Sequence, residues 1–143
     1  MIYTLTVECV FGMYLTNRCI RVMEFTEDAS LFDLHNAIQD TVNFGRDHPF
    51  EFYTANSRYT GKKIWLTLKE KWEEKVDDFI RVKLKDVWPL GRKRLYYCFD
   101  FGDRWTFEIR KAKGKKLPDP EVCYPRVIKA IGPNPKQYPI PEE

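Results

Sequence analysis

Hydrophobic and polar residues alternate from the start of the chain. Tyr3, Leu5, Val7, Cys9 and Phe11 are separated by Thr4, Thr6 and Glu8, the period-two signal of a strand with one buried face. Gly12 marks a turn, and Arg18 to Phe25 resumes the alternation through Ile20 and Val22, so the opening reads as a β-hairpin. The period then lengthens. Leu31, Leu34, Ile38 and Val42 recur at helical spacing behind Ser30, an N-cap with Asp33 three residues on. They predict an amphipathic helix over 31–43, ended by Gly45.

His48 to Thr54 reads as a further strand, with Phe50 and Phe52 on one face and Glu51 and Tyr53 on the other. The pattern weakens over 56–93. There Ile64 to Leu68 suggests a strand, Lys69 to Asp78 a helix, and Leu84 to Trp88 a helical turn stopped by Pro89. Arg94 to Ile109 predicts a hairpin closed around Gly102-Asp103. Seven of the nine prolines follow residue 117, so the tail over 117–143 is expected to be extended or irregular and to pack against the sheet. Without an internal repeat or a long linker, residues 1–143 read as a single α+β domain built from hairpins and one main helix.

At 143 residues the chain can bury a sufficient core without disulfide staples. No apolar run approaches the roughly 18 residues a membrane span needs. The N-terminus lacks a signal-peptide pattern, so a cytoplasmic location with no membrane association is expected. The four cysteines form no Cys-x-x-Cys pair, and His35 and His48 are the only histidines. Zinc-ligand spacing is therefore absent, and neither metal nor cofactor is expected. Reduced, buried thiols are the default reading, with a Cys9–Cys19 bridge between adjacent strands as the alternative.

Charge is unevenly spread. The net value is +3, but residues 61–116 hold 17 Lys/Arg against 9 Asp/Glu. Such a basic middle attracts phosphate or an acidic partner. Over Lys69 to Lys85, interleaved Glu70, Glu73, Glu74, Asp77 and Asp78 make a solvated face the simpler reading. Lys62, Lys63, Arg92, Lys93 and Arg94 are the candidates for nucleic-acid contact.

The densest chemistry lies in Phe99-Asp100-Phe101-Gly102-Asp103-Arg104-Trp105. With Gly102-Asp103 as the centre of a type II′ turn, Asp100 pairs with Trp105 and Cys98 with Phe107. Tyr96, Cys98, Asp100, Trp105, Phe107 and Ile109 then share the more apolar face. Asp100 accordingly sits at the rim of the core. It either locks the turn through backbone or indole N–H groups or acts as a poised acid. Asp103 is an ordinary turn former. Asp100-Phe101-Gly102 matches the magnesium-binding tripeptide of protein kinases, but no glycine-rich phosphate loop or His-Arg-Asp motif accompanies it. Asp47-His48 is the second cluster. The two neighbours point to opposite faces of a strand, yet His48 can reach Asp100 across the fold as acid–base equipment. No serine or cysteine lies in a recognised nucleophile motif, and His35 reads as a packed side chain.

Leu31-Phe32-Asp33-Leu34-His35-Asn36-Ala37-Ile38, Asp47-His48, the Phe99–Trp105 block and Tyr124-Pro125-Arg126 together resemble the Ri-plasmid (pRiA4b) ORF-3-like family. Order and spacing match from Tyr3 to Gln137-Tyr138-Pro139. The resemblance implies one α+β domain with a helix packed on a curved, mostly antiparallel sheet. Members occur in bacteria, archaea and on mobile elements, some labelled transposon passengers, and the family implies no established activity, cofactor or partner. This chain departs from the pattern at Phe50 and Phe107, where many members carry histidines. It also has no cysteine after Cys123, and Ile20-Arg21-Val22 stands in place of Trp-Arg-Arg.

These readings favour a non-catalytic adaptor domain that engages a protein or peptide through Asp47, His48, Asp100, Asp103, Trp105 and Arg126. A nucleic-acid accessory protein is the alternative, and a hydrolase or isomerase using His48 and Asp100 is the third. Oligomeric state is left open.

Overall fold

The computed structural model describes residues 1–58, 63–66 and 76–138. Its strands are β1 (Ile2–Phe11), β2 (Ile20–Thr26), β3 (Phe50–Ala55), β4 (Ile64–Trp65), β5 (Arg94–Phe99), β6 (Trp105–Lys111) and β7 (Arg126–Ile131). They form one sheet in the order β4-β3-β5-β6-β1-β2-β7, and every pairing is antiparallel. Register shifts at Cys9–Phe11 in β1 and Val22–Met23 in β2 are the local irregularities that bend a sheet. Helices α1 (Leu31–Val42), α2 (Val76–Arg81) and α3 (Leu84–Val87) complete the described elements. The fold is α+β.

The predicted capping box is present. Asp33 N–H donates to Ser30 Oγ at 3.1 Å, and Ser30 N–H donates to Asp33 Oδ2 at 2.9 Å. Helix α1 stops earlier than Gly45, at Asn43, whose φ of 58° is left-handed. Asparagine tolerates that conformation, so no glycine is needed there. Leu31, Leu34, Ile38 and Val42 pack on Leu5, Val7, Phe25, Phe52, Leu95, Tyr97, Phe99, Trp105, Phe107 and Ile109. A smaller cluster of Tyr53, Ala55, Tyr96 and Cys98 forms on the opposite face.

The β5–β6 register corrects the sequence reading. Phe99, not Asp100, faces Trp105, and Cys98 faces Thr106 rather than Phe107. Residues 100–104 form the loop, with left-handed φ values at Asp100 (62°) and Arg104 (56°); Arg104 N–H donates to Asp100 O at 2.6 Å. Slipping one strand by one residue moves all its side chains to the other face. The observed register gathers Tyr97, Phe99, Trp105, Phe107 and Ile109 under α1, a more apolar face than the type II′ alternative provides. Core packing therefore overrides the glycine signal.

In the 56–93 stretch, β4 covers only Ile64–Trp65, and 67–75 lie outside the described residues. Leu84–Val87 is helical, as the spacing predicts. The tail supplies an edge strand, β7. Its end lies so close to the chain before β2 that a Cβ on Gly132 (φ 82°) would stand 1.6 Å from Arg18 O. Arg126 of β7 donates to the buried Glu24 carboxylate at 2.6 Å, and Lys116 also pairs with it. The Lys116 bond, against the cost of burial, holds the Glu24 carboxyl below its usual range, with Arg126 adding to the effect. Cys9 N–H donates to Cys19 O at 3.0 Å, yet both thiols are free. Burial raises the pKa of both.

Candidate functional site

Two groups of charged side chains lie at opposite ends of the β5–β6 hairpin. At the closed end, Asp100 Oδ1 accepts from Gly102 N–H at 3.1 Å and Asp103 N–H at 3.3 Å. Its other oxygen faces His48 Nε2 at 3.4 Å. His48 Nε2 also lies 2.6 Å from Tyr138 Oη, and Tyr138 donates its hydroxyl proton to Asp47 Oδ2 at 3.0 Å. With that proton committed to Asp47, the phenol accepts from His48, so the imidazole carries its proton on Nε2. Gln137 binds the α1–β3 connection on both sides: it accepts from Gly45 N–H at 2.6 Å and donates to Gly45 O at 3.2 Å. Partial desolvation raises the Asp47 carboxyl. Hydrogen bonds from Tyr138 and its own backbone, with His48 nearby, outweigh that and hold it low. The arrangement ties the end of the described tail to the loop before β3.

The structure therefore brings Asp47, His48 and Asp100 together and adds Tyr138, which sequence reasoning missed. It leaves other expected members elsewhere. Trp105 is fully buried, with Gly12 so close to its ring that a Cβ there would meet Cε3 at 2.1 Å. It cannot touch a partner. Nor does its indole donate to Asp100; Nε1 has no hydrogen-bond partner among the described residues. Asp103 accepts from Met13 N–H through its backbone oxygen at 3.0 Å. Arg126 belongs to the far edge of the sheet with Glu24. His48 and Asp100 are near each other, but the turn amides engage one oxygen of Asp100, and Tyr138 engages the nitrogen of His48 that faces the other.

His35 is a core residue. Its ring stacks on Phe50 with centroids 3.7 Å apart, and Nδ1 lies 2.5 Å from Tyr97 Oη. Gln39 donates to the same phenol at 2.9 Å, so Tyr97 donates to a neutral His35. Burial, with a smaller effect of Arg46, lowers the imidazole pKa to about 4.

At the open end, the 88–93 connection into β5 and the 112–115 segment after β6 face each other across a cavity of about 780 Å³. Tyr3, Trp88, Leu90 and Ile109 supply apolar lining, and seven of its fifteen described lining residues are Arg or Lys. Four of the seven are engaged. Arg94 pairs with Glu108 at 3.3 Å, Arg110 with Glu108 at 2.9 Å and Glu8 at 3.2 Å, and Lys115 with Glu27 at 3.3 Å. Lys111 Nζ donates to Ala112 O and Gly114 O and lies 4.6 Å from the Tyr3 ring centroid. Arg92, Lys93 and Lys113 have no acidic partner among the described residues. Arg92 and Lys113 are exposed, and Lys93 is half-buried.

Of the nucleic-acid candidates, Arg92, Lys93 and Arg94 line this groove. Lys63 instead sits over the Tyr53 ring at 4.5 Å, and Lys62 lies outside the described residues. The sequence candidates do not include the 110–115 wall, although a signal for it exists. Any hairpin register near the observed Leu95–Ile109 pairing sets residues 92–94 opposite the Lys111-Ala112-Lys113 run. Among the described residues, no group of three or more His, Cys, Asp and Glu is placed to hold a metal ion. No described helix is long and apolar enough to cross a membrane.

Comparison with known proteins bears on the fold more than on the chemistry. Among curated proteins none matches. A crystal structure of a protein of unknown function from Methanosarcina mazei Go1 aligns with 90% of this chain and 68% of its own, at 26% identity and a TM-score of 0.67. The family described as plasmid pRiA4b ORF-3-like protein matches residues 3–137, and the chain is a member of that family.

Proposed function

We propose that this protein is a non-catalytic binding module and that the open-end groove holds a polyanionic partner. One observation carries the reading: Arg92, Lys93 and Lys113 converge on an apolar-lined recess with no acidic group among its described lining residues. Unpaired cations around a low-dielectric recess concentrate field and attract anions. The expected contact region near Asp100 and Trp105 is replaced by this groove, because Trp105 is inaccessible and Asp100 is held within its own turn. The His48–Asp100 approach of 3.4 Å favours acid–base chemistry as a second reading. Engagement of both groups by the turn and by Tyr138 favours a structural tie instead. The same proposal places the protein in a reducing cytoplasm, where Cys9, Cys19 and Cys98 stay as buried thiols.

The test is binding of fluorescein-labelled heparin by anisotropy at 50 mM salt, with wild type and Arg92→Glu/Lys93→Glu/Lys113→Glu. Saturable binding by wild type, weakened at least about 100-fold in the triple variant while its circular-dichroism melt is unchanged, supports the proposal. Failure of the wild type to bind heparin or any other polyanion at 50 mM salt, or equal binding by the variant, overturns it.

A further inference from the structure

Given a polyanion-binding groove, the chemistry of its lining narrows the occupant, and this step rests on that reading. We propose that the groove holds single-stranded nucleic acid, with phosphates on Arg92, Lys93 and Lys113 and an unstacked base against Trp88.

The first argument is the disposition of free charge. Arg92 and Lys93 belong to one wall and Lys113 to the other, while Arg94, Arg110 and Lys115 are neutralised by Glu108, Glu8 and Glu27. The unneutralised cations therefore flank a path between the walls. The second argument is the aromatic side chain that the 88–93 wall contributes. Trp88 is half-buried and lines the groove. Its orientation is held by an edge-on contact with Tyr3, with centroids 6.3 Å apart and planes at 90°. An oriented aromatic side chain beside cations is the combination that non-sequence-specific single-strand binders use. A carboxylate- or sulfate-bearing polymer gains from the cations alone and leaves the apolar floor wet.

Shape separates the single strand from the duplex. The recess, about 780 Å³, lies within the range of about 300–1,000 Å³ that accommodates a small organic molecule. A duplex keeps its bases stacked inside a convex surface and can reach only the rim cations. A flexible strand can turn one base inward and leave its phosphates at the rim.

Three phosphate contacts on a single strand correspond to a slope of log K against log salt of about −2. Anisotropy with a labelled 12-nucleotide single strand should show affinity falling about 15-fold between 50 and 200 mM salt. The single strand should bind at least about tenfold more tightly than the same sequence as duplex, than heparin and than poly-glutamate. Trp88→Leu should weaken the oligonucleotide about tenfold and leave heparin unchanged; Trp88→Phe should retain most of the affinity. If Trp88→Leu melts early, Arg92→Gln provides the second test, expected to reduce the slope by about 0.7. Equal or tighter binding of duplex, heparin or poly-glutamate overturns the single-strand proposal and leaves the polyanion reading intact. So does a folded Trp88→Leu protein that binds the oligonucleotide normally. Failure of every polyanion to bind at 50 mM salt overturns both.

Discussion

At the closed end of the β5–β6 hairpin, Asp100 serves the amides of its own turn while Asp47 and His48 hold Tyr138 of the tail. At the open end, Arg92, Lys93 and Lys113 face a recess whose described lining offers them no counter-charge. Both ends are rich in charged residues, and the closed end has the more distinctive sequence. The difference lies in saturation. A charged group whose hydrogen bonds and ion pairs are completed within the fold is already committed to structure. One that is left uncompleted beside apolar surface retains interaction energy for a partner.

The largest effect should come from the packing that supports the closed end. Gly12→Ala puts a Cβ against the Trp105 ring and should cost about 3 kcal/mol in urea unfolding. A cost below about 0.5 kcal/mol would mean the ring can move aside, and the closed end would then not be the rigid partner in the comparison. At the open end, Arg92→Glu/Lys93→Glu/Lys113→Glu should alter stability by no more than about 0.5 kcal/mol while removing polyanion binding. A large loss of stability would make those side chains structural and erase the distinction.

Acid sensitivity should belong to the closed half, through His35. Its folded pKa, about 4, lies below the ordinary 6.5, so between those values the unfolded chain binds more protons. Its contribution is complete above about pH 6.5 and declines as pH falls toward 4. From pH 7 to pH 5 the loss should be about 2 kcal/mol, read as a shift in urea midpoint, and His35→Asn should flatten that slope. Smaller again is the turn itself. Asp100→Ala should cost about 1–2 kcal/mol by removing the acceptor for two amides at a left-handed residue. Asp100→Asn should lose under half as much, since asparagine accepts similarly and tolerates that φ. Equal losses would leave the carboxylate charge, and with it His48, as the important element. Smallest is Tyr138→Phe, expected to cost about 0.5–1 kcal/mol and to increase hydrogen exchange at Gly45.

Much of this architecture was readable from local pattern. The alternation of Tyr3 to Cys9, the Ser30–Asp33 box and the 94–109 hairpin all appear where the spacing puts them, whereas Phe11, past the register shift at the end of β1, is exposed. The turn register departs from the local signal: glycine at 102 points to a two-residue turn, whereas Asp100 and Arg104 adopt the positive φ. The candidate site was only partly legible. Asp47, His48 and Asp100 stood out as residue types and do converge, but their partner Tyr138 is 91 residues beyond Asp47. The groove's second wall was hidden in a lysine run that resembles ordinary solvated surface.

The amino-acid sequence by itself determined the strands, the capped helix and the uneven charge, because periodicity and capping depend on residues a few positions apart. Tertiary structure alone decided which charges were left over. Arg94 finds Glu108 at 14 residues' distance, Lys115 finds Glu27 at 88 and Arg110 finds Glu8 at 102. Such pairings depend on which strands lie side by side and at what register. No local pattern could separate the satisfied cations from Arg92, Lys93 and Lys113.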